Sequence, residues 1–367
     1  MRPALASHST GNGSRRRSFR STFRHFKKQK REGTKMLDTV KRIAGGGLLL
    51  LGAALLEAPA SAETLTLKMS SPSPVTTMDT IMLQDMADKL KAKLGDDFKS
   101  DFHHSAALGD EDVHQQQIRT GQIDITTLTS DAVQLDPSWA VFDLPFLFGD
   151  RTDVARMVDG EIGEKLRQSM REKIGVEVLA FGEMGFRQIT NNVRPITKPE
   201  DLQGIKLRVP GSPSRMLMFK TLGANPMTMN YGEIYLALQS GTIDGQENPL
   251  NNIVTSSMHE VQSYLSLSNH VYTPVTLVMN GARFDSLSDE QKAVVKEAAL
   301  AAAVDSRKLG EQKDQELLDK LKAGGKISIN EIDRSAFQAK SAAIYASVEG
   351  IAGAEFTKAV LEAAASK

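Results

Sequence analysis

The stretch from Phe186 to Asn252 decides how this chain is read: FRQITNNVRPITKPEDLQGIKLRVP covers Phe186 to Pro210, and NPMTMNYGEIYLALQSGTIDGQENPLNN covers Asn225 to Asn252. In IKLRVP the apolar residues Ile205, Leu207 and Val209 fall on one face of an extended strand and leave Lys206 and Arg208 on the other. Arg187, Arg208 and Asn248 sit in segments that read as strand, strand and loop, within a frame of Pro and Gly. Donors held in a rigid frame suit an anion. Guanidinium forks meet a carboxylate bidentately, an Asn amide adds a neutral donor, and Tyr231 supplies an amphipathic wall. The same residues also fit plainer roles: Arg208 on a solvated strand face, Arg187 in a surface ion pair, and Asn248 as a turn residue before Pro249.

Outward from this stretch, 367 residues suffice for two domains, and 40% hydrophobic with 25% charged residues is an ordinary globular composition. The formal net charge of zero conceals an asymmetry. Residues 1–62 carry thirteen Lys and Arg against three Asp and Glu, out of 45 and 45 in the chain, so the remainder stands near −10. An acidic body argues against nucleic acid as a partner, because binding there depends on basic contacts to phosphates. From Met36, Lys41 and Arg42 form a positive n-region, Ile43 to Leu56 an apolar h-region, and Ala60-Ser61-Ala62 a small-residue cleavage site. That pattern predicts export, with translation starting at Met36 and cleavage after Ala62. Cysteine is absent, which excludes disulfides and thiolate chemistry and suits a periplasmic protein held by its core alone.

Periodicity supplies the elements. Leu65, Leu67 and Met69 open a strand. Ile81, Leu83, Met86, Leu90 and Leu94 recur at helical spacing up to Gly95, and Asp97 to His103 reads as a strand. Glu111 to Thr120 reads as a helix stopped by Gly121, and Ile123 to Leu128 as a third strand. Alternating strands and helices predict an α/β fold with parallel strands. QIRTGQID (Gln117–Asp124) resembles ALQSGTID (Ala237–Asp244), a helix end, Gly stop and strand start 120 residues apart, which suggests two lobes of related build, although all such junctions look alike. Ser288-Asp289-Glu290-Gln291 forms a capping box ahead of a run with no Pro up to Gly324-Gly325, which predicts a helix on the order of 50 Å long spanning both lobes. A short strand, Lys326 to Ile332, and an Ala-rich helical tail follow.

No nucleotide-binding or catalytic signature of the Walker, dinucleotide, nucleophile-elbow or zincin kind is present. His103, His104 and His114, near Asp110 and Glu111, form the one cluster with metal-ligand chemistry, but adjacent His103 and His104 point to opposite faces of a strand. Ordinary strand-end and helix-surface histidines are the preferred reading, and no cofactor is expected.

At the residues first quoted, the chain resembles the DctP-type solute-binding subunits of tripartite ATP-independent periplasmic (TRAP) transporters. PEDLQGIKLRVP (Pro199–Pro210), YGEIYLALQSGTIDGQENP (Tyr231–Pro249), Leu108-Gly109-Asp110 and FDLPFLF (Phe142–Phe148) carry the likeness. The resemblance implies a class II-like periplasmic-binding-protein fold: two α/β lobes, each a mixed sheet flanked by helices, joined by crossing strands and one long helix. The lobes are expected at 63–184 plus 274–312 and at 185–273 plus 313–367. It also implies that Arg208 is the principal carboxylate-binding residue, with Arg187 and Asn248 as further contacts, Tyr231 as a cleft aromatic, and Thr129 and Ser130 as first-lobe residues that help set selectivity. Glu247 is counted with this ligand-binding set.

The expected function is capture of a small organic acid in the periplasm by a monomer, and its delivery to the membrane permease without catalysis. The rivals are a secreted enzyme using Glu247 or Asp244 as acid or base, a sensory subunit of a membrane receptor, and an exported α/β protein without a small ligand.

Overall fold

A computed structural model describes residues 64–366, so the export signal, the start at Met36 and the cleavage after Ala62 lie outside the described residues. Leu65, Leu67 and Met69 are buried along β1 (Leu65–Ser70), and α1 (Met78–Leu94) packs Met82, Leu83, Met86 and Leu90 inward. β2 (Phe98–His103) and α2 (Glu111–Thr120) lie where the periodicity predicts them, and β3 (Ile125–Leu128) begins two residues later than expected. α3 (Arg151–Val158) and α4 (Glu161–Ile174) lead into β4 (Val176–Asn191), a strand of 16 residues. Then come β5 (Lys206–Val209), α5 (Pro213–Thr221), β6 (Asn225–Thr228), α6 (Ile234–Gln239), β7 (Gly245–Pro249) and α7 (Leu250–Thr255). β8 (Tyr264–Leu267), β9 (Tyr272–Asn280) and α8 (Gly281–Asp285) precede α9 (Asp289–Gly324). β10 (Ser328–Glu331), α10 (Arg334–Gln338), α11 (Ser341–Ala352) and α12 (Ala354–Ala365) complete the described chain.

The strands form two sheets that share β4. The first runs β2-β1-β3-β9-β4 and the second β6-β5-β7-β4-β8-β10. β1 is parallel to β2 and β3, and β5 to β6 and β7, as alternation predicts. However, β9 runs antiparallel to β3, and β4 antiparallel to both β9 and β7, so each sheet is mixed. β4 changes sheets at a defined step: Phe186 pairs with Tyr272 of β9, and Arg187 pairs with Pro249 of β7.

The short repeat is realised in three dimensions. Gly121 and Gly241 take φ 74° and 72°, left-handed values that a Cβ would oppose. Asp124 then accepts a hydrogen bond at Oδ2 from the Lys68 N–H at 2.7 Å, and Asp244 does the same from the Lys206 N–H at 2.8 Å. The Asp124 carbonyl accepts from the Asn280 N–H at the end of β9, and the Asp244 carbonyl from the Asn192 N–H just past β4. Thus β1, β2, β3 and β9 correspond to β5, β6, β7 and β4.

The Ser288–Gln291 capping box opens α9, whose 36 residues span roughly 54 Å at 1.5 Å each. Its buried face is small: Ala298, Ala299, Ala302, Ala303, Ser306 and Gly310 let it approach α1 and β4 closely. At Gly310 a Cβ would lie 2.3 Å from Glu183 Cγ. Farther along, Leu318 and Leu321 pack with Ile253, Leu265 and Ile327 in the second half, so α9 contacts both.

The expected assignment of all of 313–367 to the second lobe does not hold. Phe337 and Ile344 join the core beside β5 and α5, but Val348 and Val360 join Trp139, Phe142 and Met157 beside the first sheet, and α12 packs on α3 and α4. The tail returns because these two apolar positions find their partners across the junction.

Candidate functional site

The parallel strands β1, β3, β5 and β7 direct their carboxyl ends at one cleft, the usual place for a ligand in α/β sheets. Residues just beyond those ends line it: Pro72 and Ser73, Thr129 to Asp131, Pro210 and Gly211, and Asn252. The cleft holds about 710 Å³ of space free of protein atoms, the open solvent at its mouth included. Two hydrogen bonds cross its mouth between the halves, Gln134 Nε2 to the Gly211 carbonyl at 2.5 Å and Asn230 Nδ2 to Asp110 Oδ2 at 3.1 Å.

Six of the seven site residues expected from the sequence line this cavity: Arg187, Arg208, Asn248, Tyr231, Thr129 and Ser130. Arg208 is 4% exposed and donates from Nε and Nη2 to the Met229 carbonyl at 3.0 and 2.7 Å. Nη1 has no protein partner among the described residues, so one edge of the guanidinium anchors the side chain and the edge carrying Nη1 is unpaired. Burial lowers its pKa to about 10, with Arg187 acting in the same direction and Glu111 against it, so Arg208 is a cation at neutral pH. Tyr231 donates from its hydroxyl to the Asn252 carbonyl at 3.5 Å and shares a 2.7 Å hydrogen bond with Ser256 Oγ, while burial raises its pKa to about 12. Thr129 donates from N and Oγ1 to Asp131 Oδ1, and Ser130 Oγ meets Thr273 Oγ1 at 3.2 Å.

Two readings of the sequence are corrected. Asn248 lies on strand β7 rather than in a loop: although GQENP is rich in turn residues, it pairs with β4 on one side and β5 on the other. Its amide accepts from Arg187 Nη2 at 3.0 Å and donates to Gln246 Oε1 at 2.6 Å. Glu247, next to it, faces away from the cavity because side chains alternate along a strand, and it is fully buried.

Glu247 is instead the centre of an ionic cluster behind the cavity wall. Arg187 donates to it from Nε and from Nη2, the latter at 3.1 Å, and Arg215 Nη1 donates to its two oxygens at 3.0 and 2.9 Å. His270 Nε2 lies 3.1 Å from the same carboxylate. Arg215 Nε also donates to Asp143 Oδ1 at 3.0 Å, and Ser212 and Ser214 hydroxyls donate to Asp143 Oδ2 at 2.5 Å each. Burial alone would raise the Glu247 pKa, but Arg187, Arg215 and His270 hold it well below the carboxylate range. Burial lowers the pKa of His270 against the pull of Glu247, so the imidazole is neutral. Two cations and two carboxylates balance, and Arg187 is fixed in place where it meets the cavity.

The histidines considered for a metal are dispersed. His114 is held between Ser70 Oγ at 2.7 Å and the Asp110 carbonyl at 3.0 Å, while His103 pairs with Asp101. Among the described residues no three His, Asp or Glu side chains are grouped to hold a metal. Glu111, considered alongside them, lines the cavity instead. Burial, then the nearby Asp131, raises its pKa to about 7. No local spacing in the sequence connects Arg215, Asp143 and His270, which are scattered over 127 positions.

Comparison with known proteins adds a family and relatives. The family described as bacterial extracellular solute-binding protein, family 7 (DctP), matches residues 69–350. The 2,3-diketo-L-gulonate-binding periplasmic protein YiaO of Escherichia coli K12 is 36% identical over 251 residues, covering 68% of this chain and 76% of its own. The sugar acid binding protein DctPAm of Advenella mimigardefordensis, solved with galactonate, superposes with a TM-score of 0.79 at 33% identity, over 82% of this chain and 98% of that one. A TRAP periplasmic solute binding protein of Sulfurospirillum deleyianum, solved with succinate, superposes with a TM-score of 0.76 at 29% identity, over 81% and 98%.

Proposed function

The chain belongs to the bacterial extracellular solute-binding proteins of family 7, and on that premise we propose that it captures a small organic acid in the cleft between its two sheets and delivers it to the permease of a TRAP transporter. The observation that carries this reading is the half-used guanidinium of Arg208. With Nε and Nη2 fixed on the Met229 carbonyl, the remaining edge is oriented before any ligand arrives, and Arg187 and Asn248 border the same space. A carboxylate entering there gains charge-assisted hydrogen bonds without the entropy of arranging the donors.

Delivery follows from the division of the wall. Arg187, Arg208 and Asn248 stand on the second sheet, and Thr129, Ser130 and Gln134 on segments following β3 of the first, so one ligand contacts both halves only when the cleft is closed. Those differential contacts favour the closed form, which is the form a permease can distinguish from the empty one. The ligand leaves chemically unchanged, and the working location is the periplasm. No helix among the described residues is long and apolar enough to cross a membrane.

The test is isothermal titration calorimetry of wild type and Arg208→Ala against a panel of organic acids, preceded by a thermal-shift screen, since a ligand that binds only the native state raises its apparent stability. Arg208→Ala is expected to fold and to lose about 2 to 5 kcal/mol of affinity, and Arg208→Lys to lose part of it because an ammonium lacks the planar edge. Undiminished affinity in Arg208→Ala would remove the carboxylate from this position. Recovery of the acid unaltered after overnight incubation, read by NMR, separates binding from turnover.

A further inference from the structure

The cavity is electrically one-sided. Its cations, Arg187 and Arg208, stand on β4 and β5, whereas α1, α2 and the turn after β3 contribute Asp79, Glu111, Asp112 and Asp131 and no Lys or Arg to the lining. Protein donors already occupy Asp131, through Gln115 Nε2 at 2.6 Å and Thr129 N and Oγ1 at 3.2 and 3.1 Å. Glu111 makes no hydrogen bond to another side chain among the described residues.

Three further lining atoms lack a partner among the described residues although their residues are 1%, 4% and 3% exposed: Asp79 Oδ1, Thr127 Oγ1 and Asn252 Oδ1. A buried polar atom that forgoes a hydrogen bond in the empty protein is one that a ligand can complete. The unmatched set away from Arg208 is therefore two carboxyl groups, those of Asp79 and Glu111, with an amide oxygen and a hydroxyl, which is an excess of acceptors. An ionised second carboxylate on a ligand has no donor to offer them and would face Glu111 and Asp131 as a like charge. Alcohol groups both donate and accept, and they can satisfy all four.

We infer that the ligand is a monocarboxylate bearing several hydroxyl groups, an aldonic or uronic acid, with Glu111 accepting from a hydroxyl at the end remote from Arg208 and setting the preference against dicarboxylates. This rests on the reading of Arg208 as the carboxylate anchor. Glu111 is well placed for the role because it opens α2 at the cavity wall, where it senses the field of Arg208 across the space a ligand would fill.

The experiment is calorimetry on the full chain at pH 8, above the value of about 7 to which burial raises Glu111. The ligands are C5 and C6 aldonates and uronates, the C4 to C6 dicarboxylates from succinate upward, and the uncharged polyol galactitol. At least one sugar acid should bind ten-fold or more tighter than every dicarboxylate. Glu111→Gln should weaken that sugar acid at least five-fold while strengthening succinate, a crossed change that a merely structural role would not produce. A dicarboxylate binding as tightly as the best sugar acid overturns the ligand class and leaves the Arg208 anchor standing. Galactitol matching its aldonate, or no acid of either kind binding, overturns the anchor and this inference with it.

Discussion

Replacing Glu247 by Gln keeps the shape of the side chain and deletes its charge, which leaves Arg187 and Arg215 sharing the single carboxylate of Asp143. The cluster then carries one uncompensated positive charge with every member 4% exposed or less. Breaking a buried pair on one side costs about 3 to 5 kcal/mol, a large part of the ~5 to 15 kcal/mol that holds a typical protein folded. At about 2 to 4 °C per kcal/mol, the melting temperature should fall on the order of 10 °C. Urea denaturation at pH 7, followed by circular dichroism, measures the difference. The effect also has a signature in pH. Because Glu247 titrates in the native state below its ordinary value of 4.5, its contribution is complete above about pH 4.5 and is lost as the pH falls below that. The gap between wild type and variant should therefore narrow between pH 5 and pH 3. Furthermore, a ligand carboxylate beside Arg187 restores charge balance, so saturating acid should stabilise the variant by more than its affinity for wild type implies. A loss under about 1 kcal/mol, with no change in the gap on acidification, would refute the cluster as the support of Arg187.

Glu111→Gln should stabilise the empty protein at pH 8 and leave it unchanged at pH 4. The wild-type residue keeps its proton to about pH 7 when folded and to 4.5 when unfolded, so stability declines as pH rises between those values; about 1 to 2 kcal/mol is expected after allowing for partial solvent access, read by thermal melts across pH. Gly310→Ala should cost about 1 to 3 kcal/mol in urea unfolding, because its Cβ would overlap Glu183 Cγ and separate α9 from β4. Gln134→Ala together with Asn230→Ala should remove both bridges at the cleft mouth, enlarge the radius of gyration of the empty protein in small-angle scattering, and weaken ligand binding by roughly two- to ten-fold.

The elements that sequence periodicity predicted are those whose cause is local. The alternation in β1, the apolar stripe of α1, the Gly stops at Gly121 and Gly241, and the Ser288 capping box each act within a few residues. Strand order is set elsewhere: nothing in YTPVTLVMN (Tyr272–Asn280) says that it will run antiparallel to β3 and β4, because that choice belongs to a partner about 150 residues away for β3 and 90 for β4. The cavity divides the same way. Arg208 was legible because alternation along KLRV sets its face, and Arg187 and Asn248 because a family likeness places them. Glu247 turns away from the cavity because adjacency to Asn248 in sequence means opposite faces once GQENP is a strand. Asp143, Arg215 and His270 meet Glu247 only through the packing of four distant segments.

The shared strand β4, the return along β9, the span of α9 and the homecoming of α12 mean that neither half is a continuous piece of chain. Cutting the polypeptide at any single loop would leave both halves still threaded through each other. A gene fragment encoding residues 64–186 would lack β9, half of its own sheet's interior pairing, together with the α9 face that covers α1. Such a protein is inherited, synthesised and lost as a unit: its two halves can diverge in what they recognise, as the acidic and basic walls of the cleft do, but recombination cannot exchange one half without dismantling the other.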